Sequence, residues 1–206
     1  MRRVRRVLWA VVGVVVVLLA CLRLAPASLV SAAAVPDGGT PLTPVPAPGF
    51  VLTDQYGQRR SLAQFRGRVV LLTFIDSECT TTCPLEAAML QRMLRDLGPA
   101  RAADVQLLAV NVNRGAAGVA DVYRWSQAHG MNGRWLFLTG GPATLAGVWR
   151  SYHIAVSGSG SAVEHTSAIY LLDRGGRERR VWDLGDAAGG PGQALALAAQ
   201  VADLLR

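Results

Sequence analysis

Two stretches, Val69-Val-Leu-Leu-Thr-Phe-Ile75 and Val105-Gln-Leu-Leu-Ala-Val-Asn-Val112, constrain the fold more than any other feature of the chain. Runs this apolar and this short read as strands buried on both faces, because a strand with one wet face would alternate. Buried strands need a layer on each side, and the segments around them supply it. After the first run, Pro84 suits the first helical position, and Leu85, Met89, Met93 and Leu97 recur every four residues. Gly98 and Pro99 then close that helix as a glycine cap and a following breaker. A second helix is expected near 117–129, with Val119, Val122 and Trp125 among its apolar positions. Trp135-Leu-Phe-Leu138 reads as a third strand and 142–152 as a third helix. Upstream, 50–62 reads as a short hairpin turning around Gly57. Downstream, a Ser/Gly-rich loop at 157–161 leads into a strand over 166–172. Arg174-Gly-Gly-Arg177 turns that strand into Val181–Trp182, and 191–205 makes a closing Ala/Leu-rich helix. The alternation predicts one α/β sandwich around a central mixed sheet rather than two domains.

Where the first central strand gives way to a helix stands Asp76-Ser-Glu-Cys-Thr-Thr-Thr-Cys-Pro84. Cys79 and Cys83 are thereby placed at or beside a helix N-terminus, where unpaired N–H groups and the macrodipole favour thiolate over thiol. Asp76 and Glu78 flank the pair and oppose that effect by raising the thiol pKa values. A structural disulfide across so short a loop removes little entropy from the unfolded chain, so reactive or metal-binding cysteines are the stronger reading. A cysteine pair after the first central strand of such a sandwich is the thioredoxin-like plan.

The other clear signal is the N-terminus. Arg2, Arg3, Arg5 and Arg6 precede an uncharged apolar stretch from Val7 to Leu22, and Arg23 follows it. Residues 1–27 read as a membrane anchor or signal segment, with the arginines cytoplasmic and the rest of the chain exported. Leu18-Leu-Ala-Cys21 resembles a bacterial lipobox, which would lipidate Cys21, and Ala32-Ala-Ala34 is a third option, following a cleaved signal peptide. Residues 28–48, rich in Ala, Pro and Gly, read as a flexible linker, and 49–206 as the folded domain. The net charge of +7 owes much to those five arginines; set aside, they leave the chain nearly balanced against its 14 acids. No basic stripe interleaved with aromatics appears, which argues against nucleic-acid binding.

Cys79-Thr-Thr-Thr-Cys83-Pro84, Trp135-Leu-Phe-Leu-Thr-Gly140 and Glu164-His165-Thr-Ser-Ala-Ile-Tyr-Leu-Leu-Asp-Arg-Gly-Gly176 resemble the Sco (SenC/PrrC) family of membrane-tethered, thioredoxin-like copper proteins. The resemblance runs from about Phe50 to Leu205. It implies that Cys79, Cys83 and His165 bind one copper ion. It also implies delivery of copper to the copper-site subunit of cytochrome oxidase, or a thiol-reducing role in its assembly. Two departures stand out: Thr80 replaces the family's proline after the first Cys, and Asn111-Val-Asn-Arg-Gly115 replaces a stretch that usually carries acidic groups.

Two thiolates and one imidazole form a soft set that suits Cu(I) and can adapt to Cu(II), whereas structural zinc wants a fourth protein ligand. His129 and His153 fall at expected helix C-termini, where a cation complements the dipole, and read as structural. Met89 and Met93 read as core, and Asp76 and Glu78 as neighbours of the ligands. The resulting expectation is an exported copper chaperone, whose recipient is cytochrome oxidase or another exported copper or thiol protein. The alternative is a thiol–disulfide oxidoreductase, which needs the cysteines but not His165. A peroxidase of the peroxiredoxin type is disfavoured, because Asp76 stands where such enzymes need a Thr.

Overall fold

The computed structural model describes residues 38–158, 160, 162–184 and 192–206. The anchor segment, Cys21 and the Ala-rich stretch lie outside the described residues. Among those described, no helix is long and apolar enough to cross a membrane.

In chain order the elements are β1 (Thr40–Pro41), β2 (Val51–Thr53), β3 (Arg59–Ser61), β4 (Val69–Ile75), α1 (Thr82–Leu97), α2 (Pro99–Ala102), β5 (Val105–Asn111), α3 (Val119–Ala128) and β6 (Trp135–Leu138). They continue with α4 (Pro142–Ser151), β7 (Val156–Ser157), β8 (Glu164–His165), β9 (Ala168–Leu172), β10 (Glu178–Asp183) and α5 (Gln193–Leu204). Six strands form one sheet in the order β1-β10-β9-β4-β5-β6. β4, β5 and β6 run parallel, while β9, β10 and β1 each lie antiparallel to the neighbour nearer the sheet centre. This is the mixed-sheet, thioredoxin-like sandwich expected from the sequence.

All seven residues of β4 are buried, so the strand serves both layers. Val69, Leu71 and Ile75 pack with Leu90 and Met93 of α1, Val122 and Trp125 of α3, and Leu197 and Val201 of α5. Val70, Leu72 and Phe74 point the other way, onto Leu145 and Trp149 of α4 and Phe50 and Leu62 beside the β2–β3 hairpin. The period-two alternation of a strand thus fills two cores at once.

Two boundaries and one helix-face position differ from expectation. α1 begins two residues before Pro84, which occupies its third position; first-turn N–H groups have no intrahelical partner, so proline is tolerated throughout that turn. Leu85 is 52% exposed, because a strict four-residue step drifts off the face that 3.6 residues per turn bury; Glu86 and Leu90 take that face instead. The folded unit also starts near residue 40 rather than 49, which shortens the linker expected over 28–48. Thr40 and Pro41 pair with Val181 and Arg180. Leu42 N donates to Arg179 O (2.9 Å), Ala47 N donates to Gly176 O (3.0 Å), and Tyr152 Oη donates to Pro48 O (2.7 Å). A proline-rich segment without periodicity reads as linker, yet it suits a sheet edge, where a missing N–H costs nothing.

Candidate metal centre

The β4–α1 loop is built to hold Cys79 still. Glu78 N donates to Asp76 Oδ1 (2.8 Å) and Cys79 N to Asp76 O (3.1 Å), folding the chain into a tight turn. Ser77 Oγ donates to Ala116 O (2.6 Å), and the indole Nε1 of Trp125 donates to the Cys79 carbonyl (2.9 Å). Trp125 therefore anchors the loop as well as filling the core. Its period marks it as core, and nothing in the sequence separates the two roles.

Thr81 precedes α1 without a side-chain capping bond. The Cys79 sulfur takes that place, accepting from Cys83 N at 3.4 Å, with the Thr81 and Thr82 hydroxyls at 3.7 and 3.9 Å. Both cysteines are free thiols, Cys79 partly exposed and Cys83 buried. The neighbouring Cys83 side chain leads the causes that bring the Cys79 pKa down to about 4. The Cys83 and Thr81 backbone N–H groups and the Thr81 side chain assist, against the opposing effect of burial. Cys83 moves the other way, raised first by the same pairing and then by burial and the negative charge on Cys79. The expected upward push of Asp76 and Glu78 on both thiols is thus overturned for Cys79, where the helix-terminal donors and the second thiol prevail.

His165 comes to this pair on β8, which β7 holds in register through Val156 opposite His165. Its Nδ1 lies 3.0 Å from the Thr166 carbonyl. A carbonyl can only accept, so Nδ1 carries the proton and Nε2 presents a lone pair. That Nε2 stands 3.9 Å from Cys83 Sγ. Two ligands of one ion, at metal–nitrogen and metal–sulfur distances of about 2.0 and 2.3 Å, stand within about 4.3 Å of each other, so the pair fits a shared soft metal. A cavity of about 450 Å³ opens over the site, lined by Cys79, His165, Asp76, Thr82, Glu164 and Asp183 among others, with Cys83 buried and absent from its lining. Among the described residues no three His, Cys, Asp or Glu side chains are already drawn into a metal cage. Cys83 and His165 thus approach each other at one end of the sheet, with Cys79 beside them at the start of α1.

Beneath the pair lies Glu86, fully buried, its Oε1 paired with Thr73 Oγ1. Burial pushes its carboxyl up to about 8, so it is mostly protonated at neutral pH. Sequence reasoning did not single it out, although Glu at a face position of an apolar helix was a visible signal. Met89 and Met93 are core, as expected. His129 caps α3 with its ring 4.0 Å from that of Trp125, and burial lowers its pKa, which works against the dipole-complementing cation expected there. His153 follows α4 at φ +55°. Neither lines the site cavity. A larger cavity, about 850 Å³, is lined by Arg60, Arg68, Arg95 and Arg134 around an apolar floor that includes Trp135. With no thiol, imidazole or carboxylate in its wall, it offers nothing for soft-metal or disulfide chemistry.

Residues 42–196 match the SCO1/SenC family model. A curated relative, the mitochondrial protein SCO2 homolog of Bos taurus, is 35% identical over 134 residues, covering 62% of this chain and 50% of its own. The chain thus spans about half the length of that relative. Among solved structures, Bradyrhizobium japonicum ScoI with copper bound is 25% identical with a TM-score of 0.64, covering 76% of this chain and 99% of that one. BsSco, described as having a disulfide switch and as a member of the Sco family of cytochrome c oxidase assembly proteins, gives a TM-score of 0.65 at 22% identity. It covers 81% of this chain and 96% of its own, and at that identity the likeness is one of fold.

Proposed function

Because the chain belongs to the SCO1/SenC family, we propose that it binds one copper ion through Cys79, Cys83 and His165 and passes it on in the assembly of cytochrome c oxidase. The observation that carries this reading is the 3.9 Å approach of His165 Nε2 to Cys83 Sγ, with the ring turned by Thr166 so that its lone pair faces the sulfur. Two thiols and an imidazole suit Cu(I) and accommodate Cu(II). Cys79 meets the ion as a thiolate, and Cys83 gives up its proton as the bond forms. Three protein donors beside an open cavity leave room for a recipient's ligands to displace them one at a time, which suits cargo better than a resident metal. The recipient is the copper-site subunit of the oxidase or another exported copper or thiol protein. The arginine-flanked segment over 1–27 tethers the domain to the membrane on its extracytoplasmic side.

One observation favours a second reading as a thiol–disulfide reductant: a partly exposed Cys79 thiolate backed by a buried Cys83 thiol. Cys79 would attack a partner's disulfide and release one partner thiolate. Cys83, once deprotonated, would then attack Cys79 and release the second, leaving this chain's pair oxidised.

His165→Ala separates the two. In anaerobic titrations of the reduced full chain it should weaken Cu(II) binding at least a hundredfold and shift the thiolate-to-copper absorption. Cu(I) affinity should fall less, since two thiolates hold that ion, and the disulfide-reducing rate should stay within about twofold. Unchanged affinity for both oxidation states together with brisk reduction would overturn the chaperone in favour of the reductant.

A further inference from the structure

Asn113, two residues beyond β5 and fully buried, joins three loops through one side chain. Its Nδ2 has three acceptors within reach, Asp76 Oδ1 (2.8 Å), Glu78 Oε2 (3.1 Å) and Gly160 O (3.0 Å), among which its two hydrogens are shared. Its Oδ1 accepts from Gly115 N (2.8 Å) and Ala116 N (3.2 Å). Asp76 and Glu78 belong to the loop that presents Cys79, and Gly160 to the segment that leads into His165. Asn113's own loop also lies close to the Gly160 segment: a Cβ on Gly115 would lie 3.5 Å from the Gly160 backbone and 3.3 Å from Asn113 Oδ1.

The chemistry of the position demands an amide. Among the described residues, no cationic side chain pairs with Asp76 or Glu78, and Asn113 is the side chain that donates to both. A carboxylate at 113 could still accept from Gly115 and Ala116, but it could donate to neither acid and would bring a third negative charge within about 3 Å of two others. This is the stretch where the family resemblance expects acidic groups, so here the neighbouring acids are matched by an amide instead.

We propose that Asn113 is a positioning residue for the metal centre: its amide ties the Cys79 loop to the loop bearing His165 and sets the spacing of thiol and imidazole donors before an ion arrives. The copper part of this inference rests on the reading above; the joint itself exists without metal.

The test uses the full chain carrying Asn113→Asp, Asn113→Ser, or Asn113→Asp combined with Asp76→Asn. In the metal-free protein, amide hydrogen exchange over 162–166 should quicken at least tenfold in both single variants. Cu(II) affinity should fall at least tenfold with a shifted thiolate-to-copper band. Asn113→Ser adds no charge and so guards against a fold lost to repulsion. The double variant places an amide at 76 facing a carboxylate at 113, and it should recover most of the protection and affinity. Wild-type exchange and affinity in Asn113→Asp and Asn113→Ser would overturn the proposal. So would a double variant no better than the single, with every effect tracking melting temperature. A wild-type chain that binds no copper would overturn the copper reading alone, and the exchange comparison would still decide whether Asn113 is the joint.

Discussion

At the scale of single residues, the site is governed by an asymmetry between two cysteines four positions apart. Cys79 gathers donors from the start of α1 and from the second thiol, while Cys83 is buried against the charge this creates. For a thiol with a depressed pKa, the linked contribution to stability is complete above the ordinary range near 9. It is lost as the pH falls through about 4. Reactivity follows the same window. Alkylation of Cys79 by iodoacetamide in the metal-free protein should be nearly flat from pH 8 to 5 and halve near pH 4. Cys83→Ala removes the leading hydrogen bond, so its rate should already decline below neutrality. A wild-type profile that rises steeply between pH 7 and 9 would show that the helix terminus and second thiol do not hold Cys79 ionised. The spacing of these cysteines and their place before a helix were legible in the sequence. Which of the two would ionise was not, because that depends on a 3.4 Å backbone contact and on how deeply each sulfur is buried.

At the scale of elements, β4 and α1 meet around a polar pair that the apolar pattern of the strand conceals. Thr73 is the one polar residue of β4, on the face towards α1, and Glu86 answers it from the helix. Thr73 Oγ1 also lies 3.3 Å from the Ala168 carbonyl, so its one hydroxyl hydrogen is shared between Glu86 Oε1 and β9. The stability linkage has the opposite sign to that of Cys79. Below about pH 4.5 Glu86 is protonated whether the chain is folded or not. As the pH climbs towards 8, only the unfolded chain ionises, and stability falls by up to roughly 1.4 kcal/mol per pH unit. Glu86→Gln keeps a hydrogen-bonding partner for Thr73 and removes the ionisation. In urea unfolding it should therefore be more stable than wild type at pH 8 and lose its advantage near pH 5. Parallel curves for the two proteins would mean that Glu86 is not held neutral. The strands Val69–Ile75 and Trp135–Leu138 are legible to the residue, because apolar runs of this kind have sharp polar borders. Helix starts were read less well, since the first turn of α1 carries threonines and a proline that suit a loop equally.

At the scale of the whole molecule, the central sheet was predictable because alternating strands and helices leave few ways to cover two apolar faces. Its edge was not. Residues 40–48 carry no periodicity, and only the structure shows them lying along β10 and the β9–β10 turn. Gly39 marks how closely this segment packs: at φ +107°, a Cβ there would fall 2.5 Å from the Trp182 indole. A chain beginning at Gly49 would therefore lose an edge strand as well as a linker. It would forfeit the bonds of Leu42, Ala47 and Val45 to the sheet and uncover Trp182. Water satisfies most of the freed groups, so the cost should be about 2–4 kcal/mol rather than the loss of the fold. Once freed, the edge would present Glu178, Arg179, Arg180 and Asp183, charges that discourage strand-to-strand aggregation. Compared with a chain beginning at residue 38, it should unfold at lower urea concentration, with Trp182 emission shifted to the red and the thiols still reactive. Equal stability and unshifted emission would show that the segment lies on the sheet without supporting it, and would return the start of the folded unit to Gly49.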